Sequence, residues 1–145
     1  MNFYTTTTFR KDLESLCSRP KFGYSSCKKD ISSEFKRAKT FQEIWNKPTS
    51  ILDKGNIRII KSRIPNSGQN TGKSGGFRII FLANKKTNEV CLLHIYPKTG
   101  KYGKENILDK ELERLLTEYF KEKTNKILQK IDINEKTLKT ERNTK

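Results

Sequence analysis

Positive charge is concentrated in one part of this 145-residue chain, and the concentration limits how the chain can fold. Residues 54–104 contain eleven lysine and arginine residues but a single acidic residue, Glu89, so they carry +10 of the total formal charge of +15. Like charges repel one another in a compact chain, and their natural partner is a polyanion. A basic surface that serves only solubility is the alternative, but such a surface usually includes some acidic residues. The segment therefore favours a fold that presents its cations to nucleic acid.

Length and composition indicate one small domain. A chain of 145 residues matches the usual domain length of about 100–150 residues. Its hydrophobic fraction of 32% is below the value of about 45–50% that is typical of globular chains. The longest apolar run covers residues 79–83 and is far too short to span a membrane. We therefore expect a small core under a basic surface, rather than a two-domain enzyme with a deep cleft.

The cysteine and histidine content excludes the usual structural zinc sites. Cys17, Cys27 and Cys91 form no CxxC pair, and His94 is the only histidine, so closely spaced metal ligands are missing. An odd number of cysteines does not suit a disulfide framework either. The N-terminal residues contain no apolar segment typical of a secretion signal. Together these features predict a reduced, cytoplasmic protein.

Hydrophobic periodicity predicts helices at both ends of the chain. Apolar residues at helical spacing favour helices near residues 9–17, 27–39 and 41–46, with Thr40 as a possible N-cap of the third. A longer apolar stripe runs from Leu108 to Phe120 and predicts a C-terminal helix.

The middle of the chain is predicted to form strands. Residues 57–64, 77–83 and 90–96 are rich in β-branched residues and are separated by polar loops. We expect an α+β domain over residues 1–131, with a small antiparallel sheet of about three to four strands. The N-terminal helices are expected to pack on one face of this sheet, leaving the other face free. Residues 132–145 are mostly polar and are interpreted as a flexible tail.

Alternation along the predicted strands places basic and aromatic side chains on one face. Side chains two residues apart share a face of a strand, so Lys61 lies with Arg63, and His94 lies with Tyr96. If the faces coincide, one concave surface gathers several cations, an imidazole and a phenol, but no carboxylate: Lys61, Arg63, Arg78, His94, Tyr96 and Lys98. This set disfavours a Mg²⁺-dependent hydrolase, because Mg²⁺ requires carboxylate ligands.

A glycine-rich loop between two predicted strands is a false lead. Residues 68–74 resemble a phosphate-binding loop, but Ser67 stands where the GxxxxGK[ST] pattern needs glycine. The segment also leads into a strand, whereas a phosphate-binding loop leads into the N-terminus of a helix. A nucleoside triphosphatase is therefore disfavoured.

The basic surface suits RNA, which carries its own nucleophile. Cleavage requires loss of the 2′-hydroxyl proton, stabilisation of charge on the phosphorus and protonation of the leaving 5′-oxygen. Arginine and lysine can stabilise that charge, and a lysine among other cations can exchange a proton. By residue types alone, however, simple nucleic-acid binding is the more common function of such a surface, and a lone histidine is more often structural.

Four motifs in order resemble a known family. They are KSRIPNS at residues 61–67, GKSGGFRIIF at 72–81, LLHIYPK at 92–98 and KENI at 104–107, preceded by FRKxLxxL from Phe9. Together they are similar to the RelE/HigB-like toxins of bacterial type II toxin–antitoxin modules, over roughly residues 8–120.

The resemblance implies a microbial-ribonuclease-like RelE fold and metal-independent cleavage of mRNA in the ribosomal A site, without any cofactor. It also implies a cognate antitoxin, expected to be small and acidic, and no membrane association. Arg78 would stabilise the charge on the phosphate. Lys61 and Arg63 would position the phosphate and help activate the 2′-hydroxyl. Lys98 or His94 would protonate the leaving group. Tyr96 or Tyr102 would stack on a base. Further RNA contacts are expected from three lysines: Lys73, Lys101 and Lys104.

Three other functions remain open from the sequence. The ParE-like relatives of these toxins share the fold but poison DNA gyrase. A non-catalytic RNA- or ribosome-binding protein would have the same basic face without cleaving RNA. A structural protein with an incidental basic face would lose little when Arg78 or Lys61 is changed.

Overall fold

A mixed sheet of six strands forms the centre of the part of the chain that the structure describes. The computed structural model describes residues 1–19, 24–68, 76–98, 107 and 109–140. The elements in chain order are β1 (Asn2–Thr5), α1 (Thr7–Cys17), α2 (Cys27–Lys36), α3 (Phe41–Trp45), β2 (Ser50–Lys54), β3 (Ile57–Ile64), β4 (Phe77–Asn84), β5 (Glu89–Pro97), α4 (Asp109–Thr124) and β6 (Gln129–Ile131). The strands lie in the order β2-β3-β4-β5-β1-β6. Neighbouring strands are antiparallel, except that β1 runs parallel to β5.

The central strands β3, β4 and β5 are rich in isoleucine, leucine, valine and phenylalanine, which favour a pleated and buried backbone. Every residue of β4 is buried between its two neighbours and the layers above and below the sheet. The register of β4 with β5 shifts after Ile80, so that Leu93 is an extra residue in β5. Ile80 pairs with His94 beyond this bulge, and paired residues project to the same face.

Helices α1, α2 and α3 cover one face of the sheet, here called the first face. Their buried residues join a core cluster that includes Ile60, Ile79 and Phe81 of the central strands. Within this core the ring of Phe35 in α2 packs edge-on against Phe81, with 5.1 Å between ring centroids. The apolar periodicity that predicts these helices therefore reflects burial against the sheet.

Helix α4 packs on the opposite face, here called the second face. Leu115 and Tyr119 are both 2% exposed and form a second core cluster with Ile80, Leu82 and other sheet residues. The longest helix of the described residues is this one, with 16 residues. In the described part of the chain, no helix combines the length and the apolar composition that crossing a membrane requires.

Carboxylates of α4 hold the N-terminus of α1. Thr6 caps α1 by accepting a hydrogen bond from the amide of Phe9 at 3.2 Å. Glu122 Oε1 accepts from the amide of Thr7 at 3.0 Å, and Glu118 Oε1 accepts from the amide of Thr8 at 3.3 Å. Helix N-terminal amides need such partners, and a negative charge there is favourable. The two helices are thus tied together where α1 begins.

The α+β class is confirmed, and the strands predicted at 57–64, 77–83 and 90–96 correspond to β3, β4 and β5. The expectation of three to four antiparallel strands is corrected, because β1, β2 and β6 extend the sheet and β1 is parallel to its neighbour. The expectation of a free second face is also corrected, because α4 covers part of it.

The structure also corrects the expectation that a flexible tail begins at residue 132. Ile133 and Leu138 are 8% and 7% exposed and belong to the core on the first face. The hydroxyl of Ser32 donates a hydrogen bond to the carbonyl of Ile133 at 2.7 Å, and Thr140 forms a bridge with Ile131. Residues 132–140 therefore belong to the domain.

Candidate functional site

Strand register brings the predicted basic residues together on the second face. Arg63 pairs with Arg78, and Arg78 pairs with Tyr96, so these three side chains form a row across β3, β4 and β5. Lys61 and His94 both pair with Ile80 and form the next row. The convergence that strand alternation predicts is therefore present, at the end of the sheet where β3 finishes and β4 begins.

The basic residues of these two rows, Lys61, Arg63 and Arg78, are here called the cationic cluster, and they differ in exposure. Arg63 is exposed, and Lys61 is partly exposed. Arg78 is only 4% exposed, and its Nη1 donates a hydrogen bond to the carbonyl of Phe77 at 3.1 Å. Burial lowers the pKa of Arg78, and the charge of Arg63 lowers it further. The guanidinium of Arg78 is thus fixed within the sheet surface, while Arg63 extends into solvent.

Lys61 is the basic group whose environment most favours proton exchange. Burial lowers its pKa, and three neighbouring positive charges lower it further: Lys98, Arg78 and Arg63. A lowered pKa increases the neutral fraction of the amine at a given pH, and only the neutral amine can accept a proton. Lys61 also lines a cleft of about 240 Å³, together with Ile51, Ile107, Leu112 and Asp109.

Tyr96 is buried beside Arg78 and His94. It is 3% exposed, and its ring lies 5.2 Å from the ring of His94 at an interplanar angle of 32°. Burial raises the pKa of Tyr96, the charge of Arg78 opposes the rise, and Glu111 adds to it. Tyr96 therefore stays a neutral phenol at physiological pH. Stacking of this ring on a base, as the sequence favours, would require a change of conformation.

His94 lies between two carboxylates that the sequence did not place at the site. Its Nδ1 is 2.5 Å from Oδ2 of Asp12 in α1, and its Nε2 is 3.9 Å from Oε2 of Glu111 in α4. The expectation of a surface without carboxylates is therefore corrected. Within the described ranges, no group of three histidine, cysteine or acidic residues is arranged to bind a metal ion. Asp12 and Glu111 carry no local sequence signal, because helix packing brings them to His94.

Backbone contacts hold Ser67, which follows β3, and Gly76, which precedes β4. The amide of Ser67 donates to Oδ2 of the buried Asp30 at 3.0 Å. Gly76 lies so close to β3 that an added Cβ would be 2.1 Å from the carbonyl oxygen of Ile64. The amide of Lys98 in turn donates to the carbonyl of Gly76 at 2.9 Å. The last of these contacts places the backbone of Lys98 beside Gly76, next to the start of β4.

Five of the ten predicted site residues share the second face of the sheet: Lys61, Arg63, Arg78, His94 and Tyr96. Lys98 follows directly after β5, and its charge acts on Lys61. The other four lie outside the described residues: Lys73, Lys101, Tyr102 and Lys104.

Comparison with known proteins assigns no family to the chain. A scan against protein-family models finds no match, and a search of curated proteins finds none of significant similarity.

Proposed function

We propose that this protein is an endoribonuclease that cleaves mRNA without a metal ion, and that it acts as the toxin of a type II toxin–antitoxin module with a RelE-like fold. The observation that carries the proposal is the row of Arg63, Arg78 and Tyr96 beside Lys61, whose pKa is lowered by burial and by neighbouring cations. Phosphate charge and proton exchange are the two needs of RNA cleavage, and this cluster meets both.

The reaction proceeds by attack of the RNA on itself. The neutral amine of Lys61 takes the proton of the 2′-hydroxyl, and a bond forms between the 2′-oxygen and phosphorus. Arg78 and Arg63 stabilise the negative charge that grows on the phosphoryl oxygens. The bond from phosphorus to the 5′-oxygen breaks as Lys98 or His94 gives a proton to that oxygen. The products are a 2′,3′-cyclic phosphate and a free 5′-hydroxyl.

The substrate is mRNA in the ribosomal A site, in the cytoplasm. The motif resemblance over residues 61–107 and the net charge of +15 support this choice, because ribosomal RNA is a dense polyanion that attracts basic proteins. A small acidic antitoxin would neutralise the same cations. The α+β architecture, with Lys61, Arg63 and Arg78 on one sheet face, is compatible with this family's fold.

The decisive experiment adds the purified protein to a cell-free translation reaction and maps mRNA ends by primer extension. We expect new ends within coding sequence for the wild type and none for Arg78→Ala. Arg78 is buried, so Arg63→Ala at an exposed position is a second variant that keeps the fold. Lys86→Ala, in the exposed turn after β4, removes one positive charge at the far end of that strand and should cleave normally.

The outcomes separate the proposal from its rivals. Ends that appear on translated mRNA but not on naked mRNA support a ribosome-dependent nuclease. Blocked translation with intact mRNA indicates a ribosome-binding protein that does not cleave. Normal translation with intact mRNA leaves a gyrase poison or a structural protein, and DNA breaks in a gyrase assay identify the former.

The antitoxin component is tested by lysine footprinting. Co-expression with a small acidic candidate antitoxin should give a complex in which Lys61 and Lys98 resist acetylation, while Lys86 reacts as in the free protein. Equal reactivity of Lys61 and Lys98 in the complex and the free protein would exclude masking of the basic face.

A further inference from the structure

The only histidine of the chain lies in a groove between α1 and the end of β5. The groove has a volume of about 280 Å³, and Asp12, Arg19, His94 and Tyr96 are among its lining residues. His94 itself is 8% exposed. An arginine and an imidazole among the lining residues could contact a phosphodiester that extends from the cationic cluster.

The two ring nitrogens of His94 have different environments. Nδ1 forms a hydrogen bond of 2.5 Å with the carboxylate of Asp12. Nε2 is buried and has no hydrogen-bond partner among the described residues, since the nearest Glu111 oxygen is 3.9 Å away. A buried polar atom without a partner is costly, and a ligand oxygen at Nε2 would remove that cost. The side chain of Glu111 is 26% exposed, and its contact with Nε2 is longer than a hydrogen bond.

We propose that Asp12 is a positioning residue that holds His94 as the acid of the cleavage step, so that Nε2 delivers the proton to the leaving 5′-oxygen. The inference rests on the proposed function and selects His94 over Lys98 for this role. The imidazolium gives its Nε2 proton to the 5′-oxygen while the P–O5′ bond breaks, and Lys61 holds the proton taken from the 2′-hydroxyl. A base oriented by a neighbouring carboxylate is a recurring arrangement in enzymes that transfer protons.

The groups that face His94 come from three elements. Asp12 approaches from α1, Glu111 approaches from α4, and Tyr96 lies beside it on β5. Two carboxylates on opposite sides could also make His94 a purely structural bridge between α1 and α4. The experiment must therefore contain a readout that a structural bridge would leave unchanged.

A substrate with sulfur in place of the scissile 5′-oxygen provides that readout, because a thiolate leaves without protonation. On ordinary mRNA in programmed ribosomes, His94→Gln should slow cleavage by about 10²–10⁴-fold, the usual contribution of an acid catalyst. Asp12→Asn should slow it by about tenfold or more, because the imidazole loses its orientation. On the sulfur substrate both variants should return to within a few-fold of the wild-type rate.

Two further variants serve as controls. Arg63→Ala acts on phosphate charge and should stay slow on both substrates. Glu14→Gln removes an exposed carboxylate from the same helix as Asp12, where it pairs with Lys28, and should cleave like the wild type. Thermal unfolding checks that each variant is folded, and Asp12→Glu, which keeps the carboxylate, should recover part of the activity on ordinary mRNA.

The single histidine also permits a test that does not depend on activity. ¹⁵N-labelled imidazole gives one set of ring signals, and Asp12→Asn should shift the Nδ1 signal of His94, because a neutral amide replaces the carboxylate that contacts this nitrogen. The assignment of His94 would be overturned if the wild type is active but His94→Gln stays slow on the sulfur substrate. It would also be overturned if the sulfur substrate restores the rate of Lys98→Ala instead. Inactivity of the wild type on both substrates would overturn the proposed function, and with it this step.

Discussion

Lys61→Met is expected to make the protein more stable and, under the proposed function, to abolish RNA cleavage. The ammonium group of Lys61 lies among three other cations, Lys98, Arg78 and Arg63, and both burial and these charges lower its pKa. A folded-state pKa below the ordinary lysine value means that the protonated amine destabilises the fold at every pH below that pKa. Methionine has a similar length and carries no charge. Its thioether would contact the apolar residues of the same cleft.

The expected gain in stability follows from the number of like-charge pairs that the substitution removes. A like-charge pair at a protein surface costs about 0.2–0.5 kcal/mol, so relief from three pairs amounts to about 1 kcal/mol. For a chain of this size, about 1 kcal/mol raises the melting temperature by about 3 °C. Salt shortens the Debye length from about 8 Å at 0.15 M to about 3 Å at 1 M. The gain should therefore be largest in dilute buffer.

Differential scanning calorimetry of the wild type, Lys61→Met and Lys86→Met, in dilute buffer and in 1 M NaCl, measures the effect. Lys86→Met removes the same charge from an exposed turn and should leave the melting temperature nearly unchanged. The advantage of Lys61→Met should persist through neutral pH and shrink as the pH rises through the lowered pKa of Lys61. A lower melting temperature for Lys61→Met, or a gain that is equally large in 1 M NaCl, would refute the argument.

Three other substitutions test contacts that position the site. Gly76→Ala places a Cβ 2.1 Å from the carbonyl oxygen of Ile64, so urea unfolding should show a loss of about 1–3 kcal/mol or more. Glu122→Gln removes the negative charge that accepts the hydrogen bond from the amide of Thr7. It should lower the free energy of unfolding by about 1 kcal/mol and speed amide hydrogen exchange in the first turn of α1. Asp30→Ala leaves the amide of Ser67 without its acceptor and should cost about 1–3 kcal/mol in the same unfolding assay, whereas Asp30→Asn should cost less.

The central strands were predictable because their signal is local. Residues 57–64 and 77–84 contain runs of β-branched and aromatic residues, and the side-chain period of two then decides which residues share a face. The placement of Arg63, Arg78 and Tyr96 in one row depends only on that period and on register. The cationic cluster is therefore predictable from the pattern of residues along the three strands.

The outer strands were not predictable, because tertiary pairing and not composition makes them extended. β1 consists of Asn2–Thr5 and is stabilised by parallel pairing with β5. β6 has only three residues, Gln129–Ile131, and pairs with β1 across almost the whole length of the chain. The polar composition of residues 132–140 likewise hides the two core residues that they contain, Ile133 and Leu138.

The carboxylates at the site were not predictable from the sequence for the same reason. Asp12 and His94 are 82 positions apart, and no local pattern relates them. Asp12 lies on the α1 surface beside the buried Leu13, where a solvated charge is the ordinary interpretation. Only the packing of α1 along β5 brings its carboxylate to the imidazole, and only the packing of α4 brings Glu111 to the other side.

Helix α4 supplies the negative charge that a fold with this cationic face requires. Its first turn brings Asp109 to the cleft of Lys61 and Glu111 to the side of His94. Its later turns direct Glu118 and Glu122 to the N-terminus of α1. The carboxylates near the cluster offset the repulsion among its cations when no polyanion is bound, because opposite charges at short range lower that energy. Under the proposed function, the phosphodiester of a bound RNA would replace these carboxylates as the anions that offset the repulsion.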